Sequence, residues 1–165
     1  MTQRDHVNRK PRLYLASPLF NPRERAFNRE LKGSLRSAFD VYLPQEDGLL
    51  LAELVKQGVE VPVAEKMVFD ADIASMREVD ALLAVLDGAT VDEGVAFEIG
   101  YVHALGKTCV ALQTDIRRQL PTGNNPMIGC SISQYFKDVD SLILWARGFS
   151  RRFGQRQAWR VASGT

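Results

Sequence analysis

Short apolar runs alternate along this chain with stretches whose apolar residues recur every third or fourth position. The first run, "RLYLA" at residues 12–16, has the length and alternation of a strand. From Arg23 the spacing widens, and Phe27, Leu31, Leu35 and Ala38 mark one face of a helix. "DVYL" ahead of Pro44 predicts a second strand, so the chain opens as strand, helix, strand. "PQEDG" has the composition of a turn, "LLLAELVKQG" suits a short helix closed by Gly58, and a further helix is expected over residues 64–78. "DALLAVLD" at residues 80–87 and "TCVALQT" at residues 108–114 are nearly unbroken apolar runs, as expected of parallel strands buried on both faces. Between them a helix is expected from Gly94, behind the capping candidates Thr90 and Asp92, to Gly106. The turn-rich "DIRRQLPTGNNPMIGCSISQYF" then reads as a long functional loop, and "DVDSLILWARGF" as a closing amphipathic helix.

Strands that alternate with helices throughout imply an α/β domain. The expected architecture is flavodoxin-like or Rossmann-like: a mostly parallel open sheet of about five strands with helices on both faces. Residues 1–11 are expected to be a flexible N-terminal tail, 12–150 the α/β domain and 151–165 a basic C-terminal tail. In such sheets ligands bind beyond the carboxyl ends of the strands, where strand order reverses. The segments at that rim are Ser17 to Pro22, Gln45 to Gly48, Asp87 to Gly94 and the long loop, and acids gather there.

Composition narrows the partners. With 21 Lys and Arg against 20 Asp and Glu, the chain has no net field to draw it to nucleic acid or an anionic membrane, so a small neutral ligand or a protein partner fits better. The arginines Arg147, Arg151, Arg152, Arg156 and Arg160 read as a solvated helix face and tail rather than an RNA surface. Cys109 and Cys130 have neither the spacing nor the histidine neighbours of a zinc site, and no disulfide framework is expected. No apolar run reaches the roughly 20 residues of a membrane span and the first residues lack a signal peptide's apolar stretch, which makes the cytoplasm the expected location. Neither G-x-G-x-x-G after the first strand nor G-x-x-x-x-G-K-[ST] occurs, so the usual dinucleotide and triphosphate readings lack their main support.

One carboxylate stands out. In "DEGVAFEIGYVHALGK", Val95, Ile99, Val102 and Leu105 form an apolar stripe, and Glu98 borders it. A carboxylate there is costly unless it is paired, hydrogen-bonded or open to a pocket, which points to a chemical task. The other reading is a partly solvated acid near a helix N-terminus, where the dipole favours negative charge. Gly94 permits a ligand to approach the helix entrance, and Gly100 in mid-helix implies close packing. Asp92 also reads as an N-cap, Asp72 as an exposed helix acid and Tyr14 as ordinary strand packing. His6 and His103 have no visible catalytic partner.

Four segments taken together, "LYLASPLF", "FDADI" around Asp72, "DEGVAFEIGY" from Asp92 and "NPM" at Asn125 to Met127, resemble the nucleoside 2-deoxyribosyltransferase family in order and spacing. The resemblance runs from about Leu13 to Met127, and D-x-G-x-x-x-E-x-G is its most specific part. It implies cleavage of the N-glycosidic bond of a 2'-deoxynucleoside and transfer of the sugar to another nucleobase, without metal or organic cofactor. By the same resemblance Glu98 is the nucleophile, Tyr14 orients it, Asp72 is the acid at the departing base, and Asp92 holds the sugar hydroxyls. Gly94 lies in the motif, Gln45 falls where members often contact the base, and Phe20 or Leu19 could pack on it. Asn125 and Met127 match a loop that completes a neighbouring subunit's site, which implies a homo-oligomer.

The chemistry is coherent without the family name. A carboxylate that displaces the base at the anomeric carbon forms a glycosyl ester, and a second displacement restores the original configuration. An acid near other negative charge is raised in pKa and suited to protonate the leaving base. Two alternatives stand beside transfer: an N-glycoside hydrolase acting on nucleosides or nucleoside 5'-monophosphates, and a non-catalytic nucleotide-sensing module. Asp92 followed by Glu93 would repel a 5'-phosphate, which favours free nucleosides.

Overall fold

The computed structural model describes residues 9–115 and 123–163, with the backbone alone for 160–163. Its elements are β1 (Arg12–Ala16), α1 (Pro22–Leu35), β2 (Asp40–Tyr42), α2 (Pro44–Asp47), α3 (Leu51–Lys56), α4 (Val61–Glu78), β3 (Ala81–Val85), α5 (Glu93–Ala104), β4 (Thr108–Leu112), α6 (Pro126–Gly129), β5 (Gln134–Phe136) and α7 (Val139–Ser163). The five strands form one sheet in the order β2-β1-β3-β4-β5, with every pairing parallel. From β1 the chain winds outward to β2, then crosses back through α4 to β3. The loops after β1 and β3 therefore diverge at the switch point where such sheets bind ligands.

Strand alternation sorts the side chains into two cores. Leu13 and Leu15, Leu83 and Val85, and Val110 and Leu112 face one side, where Leu31 and Leu35 of α1 and Leu142 and Ala146 of α7 cover them. Tyr14 and Ala16, Leu82 and Ala84, and Cys109 and Ala111 face the other, against Met76 of α4 and Val95, Ile99 and Val102 of α5. The same alternation thus sends Tyr14 toward α4 and α5. Each fully buried leucine stabilises the fold by roughly 1.5–3 kcal/mol relative to exposure.

Helix ends carry their own signals. Asn21 caps α1, accepting from the backbone N–H groups of Arg23 and Glu24, while Glu24 reaches back to the Asn21 N–H in a capping box. Gly106, with φ of 70°, gives the left-handed turn after α5.

Several sequence expectations change. "PQEDG" is the short helix α2, started by Pro44 at its first turn. Helix α4 begins at Val61 because Pro62 suits a helix's first turn. The long loop contains α6 and the edge strand β5, and residues 116–122 of it lie outside the described residues. Helix α7 continues to Ser163, so residues 151–163 are helical rather than loose chain; Phe153 in this extension lies under the Arg9 guanidinium, 4.9 Å from the ring centroid. Of the expected N-terminal tail, residues 1–8, with His6, lie outside the described residues. Residues 9–11 are tied down: Arg9 pairs with Asp80 at 2.7 Å and Lys10 donates to the Arg36 carbonyl at 2.8 Å. Gly100 is exposed and a Cβ there would touch nothing, so it serves no close packing within the chain. Among the described residues no helix is long and apolar enough to cross a membrane.

Candidate active site

Tyr14, fully buried in β1, donates its hydroxyl hydrogen to Glu98 Oε1 at 2.7 Å. This bond joins β1 to α5 across the switch point. Glu98 sits on the sheet-facing side of α5, one residue before the buried Ile99, so its carboxyl group is drawn inward with the apolar stripe. Burial raises the Glu98 pKa to about 8; the Tyr14 hydroxyl pulls it down, and the charges of Asp72 and Asp92 push it further up. The Tyr14 hydroxyl is raised well above the usual phenol range by burial and by Glu98, so it stays a donor.

Asp72 projects from α4 toward the same place. Burial lifts its pKa to about 6 against the nearby hydroxyls of Tyr42 and Tyr14, which favour its ionised form. Its Oδ1 is buried without a hydrogen-bond partner. A buried acceptor left open in this way is costly and marks where a ligand atom fits. Asp72 and Glu98 line a cavity of about 300 Å³ together with Gly94, Phe69, Phe97 and Leu51. At Gly94 a Cβ would come within 3.1 Å of Asp92 Oδ1. Asp92 caps α5, its Oδ1 accepting from the Val95 N–H at 3.0 Å, so the cap reading holds geometrically while its charge bears on Glu98.

The remaining candidates stand apart from this cavity. Phe20 is 75% exposed in the β1–α1 loop. Gln45 is engaged within the chain: its Oε1 accepts from Asn28 and its Nε2 donates to the Arg25 carbonyl, each at 3.0 Å. Asn125 caps α6 by accepting from the Met127 N–H at 2.9 Å, and Met127 is 80% exposed. None of the four lines the cavity around Glu98 and Asp72.

Three residues at the site escaped the sequence reading. Tyr42 stacks on Tyr14 with ring centroids 5.4 Å apart, a contact implied by their pairing across β1 and β2. Phe69 and Phe97 lie with ring centroids 6.0 Å apart at the cavity. The signal for them was an aromatic beside Glu98 and another three residues before Asp72.

Comparison with known proteins identifies the family and the fold. A family model described as nucleoside 2-deoxyribosyltransferase matches residues 13–142. A solved structure of a conserved protein from Enterococcus faecalis V583 is 26% identical with a TM-score of 0.70, covering 85% of this chain and 99% of that one. A 2-deoxyribosyltransferase from Bacillus psychrosaccharolyticus is also 26% identical, with a TM-score of 0.65, covering 80% of this chain and 90% of its own. No curated protein sequence matches significantly. With most of its length matched by the family model and its fold shared with a characterised enzyme of that kind, the chain belongs to the nucleoside 2-deoxyribosyltransferase family.

Proposed function

We propose that the protein transfers the 2-deoxyribosyl group of a 2'-deoxynucleoside to another nucleobase through a covalent bond to Glu98. The observation that carries this reading is the hydrogen bond from Tyr14 to Glu98, which lines one cavity together with Asp72, whose Oδ1 is buried and unpaired. The ionised Glu98 carboxylate attacks the anomeric carbon as the N-glycosidic bond breaks. Its electron pair goes to the base nitrogen, which takes the Asp72 proton. The incoming base then displaces Glu98 from the opposite face and gives up its own proton to Asp72. Two inversions retain the configuration.

The proton inventory sets a condition on these roles. With Glu98 at about 8 and Asp72 at about 6, the pair holds one proton between those values. The higher value at Glu98 leaves that proton mainly there at rest, so the reacting arrangement is the minor one, with the proton moved to Asp72 and the charge on Glu98 stabilised by the Tyr14 hydroxyl. Asp92 is assigned to the sugar hydroxyls, and Gly94 gives the sugar room at the helix entrance. Phe20 and Gln45 are assigned to the base side. Asn125 and exposed Met127 are assigned to a neighbouring copy's site, which makes the working form a homo-oligomer. Such exchange belongs to nucleotide salvage, and the expected location is the cytoplasm.

The test is an exchange assay. Deoxyinosine with adenine should yield deoxyadenosine, and deoxyinosine alone should release little free sugar. Free deoxyribose at an equal rate in both tubes establishes hydrolysis in place of transfer, and no product in either removes the catalytic reading.

A further inference from the structure

Of the described polar and charged residues apart from tyrosine, Asn28 is the one fully buried. An amide on the core side of α1 needs partners to offset its desolvation. They all lie at the rim. Its Nδ2 donates to the Pro18 carbonyl at 2.9 Å and to Gln45 Oε1 at 3.0 Å, and its Oδ1 accepts from Ser17 Oγ at 2.6 Å. Gln45 Nε2 continues to the Arg25 carbonyl at 3.0 Å, and Arg25 Nη1 donates to the Leu19 carbonyl at 3.0 Å. The circuit locks the β1–α1 loop to α1 and α2.

Its location makes it more than packing. Tyr14 and Tyr42 are register partners on β1 and β2, and Ser17 and Gln45 each follow three residues later along their strands. The circuit therefore sits directly beyond the strand that presents Tyr14 to Glu98. It also has one polarity. Two carbonyl oxygens face Asn28 Nδ2, so the amide cannot be reversed without setting oxygen against oxygen. Gln45 is consequently held with its oxygen toward Asn28 and its nitrogen toward Arg25, leaving one N–H free.

We propose that Asn28 is a positioning residue that fixes the β1–α1 loop and the Gln45 amide in a single arrangement and thereby sets which nucleobase the site accepts. The inference rests on the transferase reading and deepens it by naming what orients the base side.

Steady-state kinetics with purine and pyrimidine deoxynucleosides, on the wild type and on Asn28→Ala, Asn28→Asp, Gln45→Ala and the Asn28→Ala/Gln45→Ala pair, test it. Asn28→Ala should raise KM about tenfold and change the purine-to-pyrimidine ratio, with kcat held within about threefold. Asn28→Asp, equal in size but lacking both donors, should be at least as impaired. The double variant should match Gln45→Ala alone, because the two act through one path. Variants that melt earlier yet keep wild-type KM and base preference would reduce Asn28 to a structural strut. Should Asn28→Ala not fold, Ser17→Ala keeps the test open, since it removes one bond of the circuit. Glu98→Gln run alongside separates the two ideas: retained exchange in that variant overturns the covalent role of Glu98, whereas its inactivity with unaltered Asn28 kinetics overturns the positioning role alone.

Discussion

Tyr14→Phe removes one hydroxyl and leaves the ring, its stacking on Tyr42 and the core beneath it. The lost interaction is the 2.7 Å bond from the hydroxyl to Glu98 Oε1. A hydrogen bond to a charged, part-buried carboxylate is worth roughly 1.5–3 kcal/mol, and about 1.4 kcal/mol corresponds to one pH unit. The bond favours the ionised form of Glu98, so its loss must raise that pKa from about 8, by about 1–2 pH units. In the wild type, kcat/KM for exchange should follow a bell with an acid limb near 6 and an alkaline limb near 8, where Asp72 and Glu98 titrate in the free enzyme. In Tyr14→Phe the alkaline limb should move upward and activity at neutral pH should fall roughly 10- to 100-fold, because less Glu98 is ionised. An alkaline limb that stays in place would refute the claim that Tyr14 tunes Glu98, whatever happens to the rate.

Three further outcomes follow from the same geometry. Because folding raises the Glu98 pKa from 4.5 to about 8, the folded state holds a proton that the unfolded chain has lost between those values, so stability is full below 4.5 and declines as pH rises through 8. Glu98→Gln should therefore gain about 4 kcal/mol on wild type between pH 5 and 9 in denaturant titrations, and a constant difference would contradict the buried carboxyl. Gly100→Ala should stabilise the chain by about 0.5–1 kcal/mol, since a Cβ there meets nothing; a loss of stability or of oligomer on sizing columns would place another copy against that face. Asp92→Ala should lower unfolding free energy by about 1 kcal/mol while Asp92→Asn retains most of it, and equal losses would remove the cap.

What could be read in advance follows the periodicities. "RLYLA" is a strand over the expected residues because its side chains divide between two cores, and α5 lies behind Asp92 because the acid caps it. Strand β5 stayed hidden because Gln134–Phe136 is too short to show a period and lies in a run of turn formers. The extension of α7 was masked by Gly148, Gly154 and the arginines, whose helix-weakening and solvated character the Phe39–Trp145–Phe149 cluster and the Arg9–Phe153 contact override. Glu98 was legible as a carboxylate at the edge of an apolar stripe. Asp72 was legible only through the family resemblance around "FDADI", since nothing local separates it from a surface acid and only the fold buries its Oδ1. The ties of Gln45 to Asn28 and Arg25 are tertiary in the same sense.

The proposed chemistry turns on a bond between Glu98 and a sugar. The direct measurement is to mix the protein with a 2'-deoxynucleoside in the absence of an acceptor base, quench in acid, digest, and weigh the peptide that contains Glu98. It should gain the mass of one deoxyribosyl group, lose it when an acceptor base is added before quenching, and show none in Glu98→Gln. An active preparation whose Glu98 peptide never gains that mass, or which carries the sugar on another residue, contradicts the mechanism.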